Sequence, residues 1–286
     1  MAGVMKLFTG AGAVFVFLTA FVNAFGADEP SAMQKAWSSM EVRKEHPRIW
    51  LDAERLAFVR GKVEGKSVAE VRQLSGPSAE GLALVYAITG DESTGREAAA
   101  KALEAAGRNP RSAAVTVSLV YDWCFPLLSA DEKAAMQKAM IETAKADIAF
   151  KRVWRSFHNG LYSTGWRVTA AALALYGDDP YGAEALDFLK DEFDDVIKTF
   201  EKLFADGEWP ESFDYNRHVT YDALRFFSAI KSATGVDFLA GSDHAKNTSL
   251  FILYASKPNG LVYNGDDNDW PFVGNWEREA IHHDDR

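Results

Sequence analysis

The sequence predicts an all-α fold built from antiparallel helical hairpins. After residue 26, apolar residues recur every three to four positions along most of the chain, and strict alternation of apolar and polar residues is almost absent. Short connections separate the periodic stretches, which places successive helices side by side and antiparallel. With 286 residues and 48% hydrophobic content, the chain is long enough to bury a large core.

The first 26 residues have the composition of a secretory signal peptide. Lys6 is their only charged residue, a mostly apolar run follows from Leu7 to Val22, and small residues stand near the expected cleavage site before Ala27. We therefore expect residues 1–26 to be removed on export, leaving a periplasmic or secreted protein. No later stretch is apolar enough to predict a membrane anchor.

Boundary residues divide the rest of the chain into predicted helices. Capping-box pairs that mark helix starts are Thr94 with Glu97 and Ser129 with Glu132. Glycines suited to a left-handed C-terminal cap are Gly107, Gly177 and Gly235. The predicted helices are 52–64, 78–89, 94–106, 112–127, 130–154, 161–176, 181–205, 214–234 and 243–256. No exact repeat is visible, so we expect the hairpins to share one core, as a curved array or a ring.

Charge and cysteine content limit the classes of function. Loss of Lys6 with the leader would move the formal charge from −10 to −11, which argues against nucleic acid as a partner. An anionic substrate would therefore need a local basic cluster. The single cysteine, Cys124, excludes an intrachain disulfide, and its aromatic neighbours predict a buried apolar residue rather than a nucleophile.

Two polar segments between predicted helices carry residues suited to chemistry. They are SFHNGLY at 156–162 and DGEWPESFDYNRH at 206–218. The first leads into helix 161–176 and the second into helix 214–234. In an antiparallel ladder, helices two places apart begin at the same end. We therefore expect the two segments to line one cleft.

Four longer segments form a recognisable series. They are HPRIWLDAERLAFVR at 46–60, LVYDWCFPLLSADEKAAM at 119–136, FHNGLYSTGWRVTAAALALYGDD at 157–179, and DGEWPESFDYNRHVTYDALRFFSAI at 206–230. Together they resemble the N-terminal helical domain of the heparinase II/III-like polysaccharide lyases, over about residues 46–256. The resemblance implies β-elimination on an anionic, uronic-acid-containing polysaccharide or oligosaccharide.

The resemblance also implies a domain organisation. Residues 27–256 would form an incomplete (α/α) toroid of antiparallel helical hairpins. Family members continue into a β-sandwich, so we expect the Gly-, Asn- and Asp-rich residues 257–286 to be its loop-rich, truncated start.

The resemblance further implies roles for particular residues. Asn159 with His158 matches the group that neutralises the uronate carboxylate, on which charge accumulates when the C5 proton leaves. Tyr215 matches the base that takes this proton and the acid that protonates the departing O4. A tyrosine base requires nearby positive charge, and Arg217 and His218 follow it closely. His218 is alternatively the catalytic imidazole itself.

Further residues of these segments are candidates for substrate contact. Trp166 and Trp209 are expected to stack on sugar rings. A basic cluster around the first segment would attract an anionic glycan; its members are Lys151, Arg152, Arg155 and Arg167. Arg217 and Glu211 complete the expected substrate contacts.

Other interpretations of these residues stay open. The Asn159-Gly160 pair also fits an ordinary turn, and Tyr215 also fits an amphipathic core position. Four acidic residues of the second segment suit a glycoside hydrolase of the α/α-toroid type; they are Asp206, Glu208, Glu211 and Asp214. A two-carboxylate mechanism has no need of the neighbouring tyrosine and histidine, so the lyase is favoured. A non-catalytic glycan-binding remnant is the remaining alternative.

We expect no cofactor and no metal. The acidic run Asp266, Asp267 and Asp269 lacks the glycine and the distal glutamate of a calcium-binding loop. The adjacent His282 and His283 are poorly spaced to ligate one ion together.

Overall fold

The computed structural model describes residues 35, 40–153, 160–191, 205–207 and 212–255, and within these residues the chain is helical and contains no β-strand. The helices are α1 Ala53–Lys62, α2 Val68–Ser75, α3 Ala79–Thr89, α4 Glu92–Arg108, α5 Pro110–Trp123, α6 Ala130–Val153, α7 Gly160–Leu175, α8 with described residues 182–191, α9 Ser212–Thr234 and α10 Asp243–Ala255. The all-α prediction is confirmed. Among the helices that are described, none has the length and apolar character needed to cross a membrane. The predicted leader and residues 257–286 lie outside the described residues.

Several helix ends follow the capping chemistry that the sequence predicts. The Ser129 backbone N–H donates to the Glu132 carboxylate at 2.8 Å, and the Glu132 N–H donates to Ser129 Oγ at 3.3 Å. This reciprocal pair satisfies N–H groups at the start of α6. Gly177 and Gly235 have φ of 73° and 78°, which confirms the left-handed conformation predicted there.

The predicted ends of α4 are wrong. Asp91 is its N-cap and accepts from the Thr94 backbone N–H at 2.9 Å, so Thr94 lies inside the first turn. Glu97 does not complete a capping box, and instead pairs with Arg72 at 2.8 Å. Gly107 lies within α4, which continues to Arg108. The Asp91 carboxylate accepts hydrogen bonds from backbone N–H groups, just as a Ser or Thr hydroxyl does. Asp91 therefore serves as the N-cap, upstream of the predicted one.

Helix α2 is missing from the sequence-based prediction. Ser67 and Glu70 cap its start reciprocally, and Val71 is its buried residue. The helix has only 8 residues, so it shows barely two turns of apolar periodicity. Its capping box was therefore the available signal.

The main core surrounds α7. This helix packs against α5, α6 and α9, and small residues allow the close approach; those on α7 with at most 2% exposure include Ala170, Ala171, Ala172 and Ala174. Met136 and Met140 of α6 are fully buried in the same core. Cys124 is also fully buried, and burial raises the pKa of its thiol to about 12, so the prediction of a buried, unreactive cysteine is confirmed.

Residues 43–50, which we call the N-terminal clasp, tie three helix ends together. The Arg48 guanidinium donates to the Ala174 carbonyl at 3.0 Å, and the Arg48 carbonyl accepts from Ser232 Oγ at 2.8 Å. The Arg48 backbone N–H donates to Asp122 at 2.8 Å. Asp122, Ala174 and Ser232 all lie in the last turn of their helices. The C-terminal ends of α5, α7 and α9 therefore lie at one end of the domain, and the three helices point the same way.

Candidate functional site

The two helices that begin within the polar segments, α7 and α9, start at the same end of the domain. Helices α7 and α9 pack together, and their C-terminal turns meet the clasp at Ala174 and Ser232. Fourteen residues back along each helix (174 to 160, 232 to 218) stand Gly160 and His218, about 21 Å from the clasp at 1.5 Å per residue. The backbone of His218 therefore lies near the level of Gly160, and that of Tyr215 lies about one turn beyond it.

Most of the predicted site residues lie outside the described residues. They are Arg155, His158, Asn159, Trp209 and Glu211. For Tyr215, Arg217 and His218 the helical backbone is described and the side chains are not. The disfavoured metal positions at the C-terminal end also lie outside. The roles assigned to these residues stay predictions.

The beginning of the second polar segment is anchored on α10. The Asn247 side chain donates to the Ala205 carbonyl at 2.6 Å. Gly207 has a φ of 87°, and a Cβ there would lie 2.4 Å from the backbone of Asn247, so glycine is required on both grounds. Asp206, one of the acidic candidates, is exposed between these two contacts. These contacts with α10 therefore fix the position of the chain at residues 205–207, shortly before α9 begins.

Trp166, predicted to stack on a sugar, lies in the second turn of α7 and is only 3% exposed. Its indole stacks on Trp50, with ring centroids 5.1 Å apart and planes at 23°. Trp50 has a φ of 60° and is held by hydrogen bonds from its two N–H groups to Ser228 and Ser232. Within the described residues the Trp166 Nε1–H has no hydrogen-bond partner. The Trp166 indole is thus buried within the protein, with no face exposed for stacking on a sugar.

A buried carboxylate holds two arginines where α5, α6 and α7 meet. Asp147 is 1% exposed and accepts from Arg111 Nε at 2.7 Å and from Arg167 Nε at 2.6 Å. Arg167 also donates to Thr164 Oγ1 at 3.1 Å. The sequence placed Arg167 in a basic cluster and missed Arg111, which is distant in sequence. The available signal was Asp147, an acid next to Ile148 on the otherwise apolar face of α6.

A second polar cluster forms where the clasp meets the helices. It lies at the opposite end of the domain from the starts of α7 and α9. His46 Nδ1 lies 2.7 Å from Asp122 Oδ1, and His46 Nε2 lies 3.1 Å from Asp178 Oδ2. The Tyr121 hydroxyl donates to Asp178 at 2.9 Å and accepts from Gln137 Nε2 at 2.8 Å. Sequence reasoning used this histidine only as part of a resembling segment.

The contacts of this cluster favour the protonated form of His46. Burial alone lowers the pKa of His46, but hydrogen bonds to Asp122 and Asp178 and the charge of Asp122 outweigh burial and raise the pKa above 6.5. For Asp178, burial raises the pKa, because it disfavours the charged carboxylate. The contacts of Asp178 with His46 and Tyr121 more than reverse this effect and leave its pKa below 3.8. The His46 side chain is 5% exposed, and both of its nitrogens already have partners. The cluster is therefore a structural brace.

We expect the brace to make folding less favourable as the pH rises above about 6.5. Because the pKa of His46 is higher in the folded than in the unfolded protein, its stabilisation is complete below the unfolded value and is lost as the pH rises through the folded value. Thermal unfolding midpoints measured from about pH 5 to pH 9 would show this decline. His46→Gln should flatten it, and an unchanged slope in that variant would assign the effect to another group.

Comparison with models of known protein families finds no match, and comparison with curated proteins also finds none. Across the described ranges, no group of three or more His, Cys, Asp or Glu side chains is placed to hold a metal ion.

Proposed function

We propose that this chain is a heparinase II/III-like polysaccharide lyase that cleaves uronic-acid-containing glycans by β-elimination. The observation that supports this most is the parallel, adjacent course of α7 and α9, which begin at the same end of the domain. The segments that carry Asn159 and Tyr215 lead into these two neighbouring helix starts. In this proposal the hairpins belong to an incomplete (α/α) toroid, the glycan lies across its rim, and the protein works after export and removal of residues 1–26.

The proposed reaction needs an acceptor for negative charge and a group that moves a proton. The Asn159 amide, assisted by His158, donates to the uronate carboxylate and stabilises the charge that accumulates there. Tyr215, as a phenolate, takes the C5 proton. The electron pair of that C–H bond forms the C4–C5 double bond, the C4–O4 bond breaks, and the proton passes from Tyr215 to O4. The products are an unsaturated uronate and a chain end with a free hydroxyl.

The proposal requires the phenol of Tyr215 to lose its proton near neutral pH. An unperturbed tyrosine has a pKa of about 10, so nearby positive charge is needed. Arg217 and His218 can supply it, and His218 shares a helix face with Tyr215 because three residues separate them. His218 is the alternative base. The expected contacts with flanking sugars come from Arg155, Trp209, Arg217 and Glu211.

Ultraviolet absorbance tests this function directly. Elimination creates a double bond conjugated to the carboxylate, which absorbs in the ultraviolet, so heparan, chondroitin, hyaluronan and alginate can each be incubated with the protein. We expect absorbance to rise with at least one of them. New reducing ends without absorbance would instead indicate a glycoside hydrolase. Binding without new chain ends would indicate a non-catalytic glycan-binding protein, and either result contradicts the lyase.

Asn159→Ala should lower kcat about 100-fold or more and change KM little, because neutralisation of the carboxylate matters most in the transition state. Initial rates over a range of glycan concentrations would separate the two constants. A change confined to KM would mean that Asn159 only binds the substrate.

A further inference from the structure

Arg111 and Arg167 form a fixed pair of guanidinium groups at the junction of α5, α6 and α7. We infer that this pair binds an oxyanion. Under the proposed function, on which this extension rests, the ligand is a sulfate or carboxylate group of the glycan, bound beside the reacting sugar.

The contacts within the pair leave donors available. Both arginines use Nε toward Asp147, at 2.7 Å and 2.6 Å. One terminal nitrogen of Arg167 donates to Thr164. The two terminal nitrogens of Arg111 and the other one of Arg167 have no hydrogen-bond or ion-pair partner within the described residues. These are the N–H groups with which arginine binds sulfate, phosphate or carboxylate through two parallel hydrogen bonds.

The charge of the group exceeds what the buried carboxylate needs. A buried Asp147 requires a partner, and Arg167, which is 19% exposed, already provides one. Arg111 adds a second positive charge while 51% of its side chain is exposed. The three groups carry a net charge of +1 (two arginines and one aspartate), in a chain whose formal charge is −10. The surplus positive charge favours an anionic ligand.

The pair is already ordered before any ligand binds. Asp147 fixes both Nε atoms, and the Arg111 guanidinium lies 4.9 Å from the centre of the Phe150 ring. Ligand binding therefore costs little side-chain entropy at these two arginines, which favours affinity.

The pair also lies near the end where the proposed cleft is expected. Arg111 is the second residue of α5, which begins at this end. Asp147 precedes the end of α6 at Val153 by six residues, and Arg167 follows Gly160 by seven. At 1.5 Å per residue, the pair lies about 10 Å from the start of α7.

Calorimetric titration tests the site with sodium sulfate, with heparan sulfate and with alginate, each at constant ionic strength. We expect Arg111→Gln to weaken binding of sulfate and of at least one glycan about tenfold. Arg167 remains to pair with Asp147 in this variant, and an unchanged unfolding midpoint would confirm that it folds. Arg108→Gln is the matched control, because Arg108 is 73% exposed, pairs with Glu104 and stands three residues earlier. The control should change affinity less than about twofold.

The outcomes separate this inference from the lyase proposal. Arg111 dependence with heparan sulfate alone identifies the ligand as a sulfate ester, and dependence with alginate as well identifies a carboxylate. If no glycan is cleaved but sulfate binding still depends on Arg111, the oxyanion site stands and the lyase proposal fails. If both variants lose affinity equally, or neither loses any, the inference is overturned whether or not cleavage occurs.

Discussion

Tyr215→Phe should lower turnover of a uronate-containing glycan at least about 1,000-fold, because one hydroxyl serves as both base and acid in the proposed elimination. Phenylalanine keeps the aromatic ring and removes only the oxygen, so glycan affinity should change little. The initial rate of the ultraviolet signal measures turnover, and calorimetric titration of the same variant measures binding. A loss of rate with binding retained would place the phenol in the chemical step.

Tyr221→Phe provides the matched control for that experiment. Tyr221 lies on the same helix, six residues after Tyr215, and its hydroxyl contacts Arg225. We expect turnover within about twofold of the unchanged protein. Full activity in Tyr215→Phe would rule out Tyr215 as the base and direct attention to His218. Loss of activity in both variants would indicate damage to α9 rather than loss of a catalytic group.

Local sequence patterns were sufficient to predict most of the helices. The predicted helix 161–176 corresponds to Gly160–Leu175, and the predicted helix 214–234 corresponds to Ser212–Thr234. Apolar periodicity and capping residues act over one or two turns, so a single sequence displays them fully. Helix α2 was not predicted, because its eight residues provide too few turns for a periodic signal.

Contacts between distant residues could not be predicted in the same way. Arg48 donates to the Ala174 carbonyl, 126 residues away in sequence. The sequence around either residue contains no pattern that predicts this contact. The same holds for Arg111, which becomes part of a site only because Asp147 is buried opposite it. Polar residues on apolar helix faces were the usable signal: Asp122 and Asp147 both lie on buried faces, where a charge requires partners from elsewhere in the chain.

Asp122→Asn should lower the free energy of unfolding by about 3–5 kcal/mol, the usual cost of breaking a buried ion pair. The Asp122 side chain is fully buried. Its carboxylate accepts from the backbone N–H groups of Arg48 and Ile49, at 2.8 Å each, and faces His46 at 2.7 Å. An amide of the same shape would turn its NH₂ group toward one of these donors and remove the charge opposite His46. Chemical denaturation would measure the loss.

Asp187→Asn is the surface control, because Asp187 is 76% exposed in its pair with Lys190 and should cost less than about 1 kcal/mol. The clasp meets the C-terminal ends of α7 and α9, whereas the proposed chemistry takes place near their starts, about 21 Å away. Folded Asp122→Asn should therefore retain kcat on the glycan despite its reduced stability, the reverse of the pattern expected for Tyr215→Phe. A large drop in kcat in the folded Asp122→Asn protein would mean that the clasp end takes part in the reaction, and the cleft would have to be sought there.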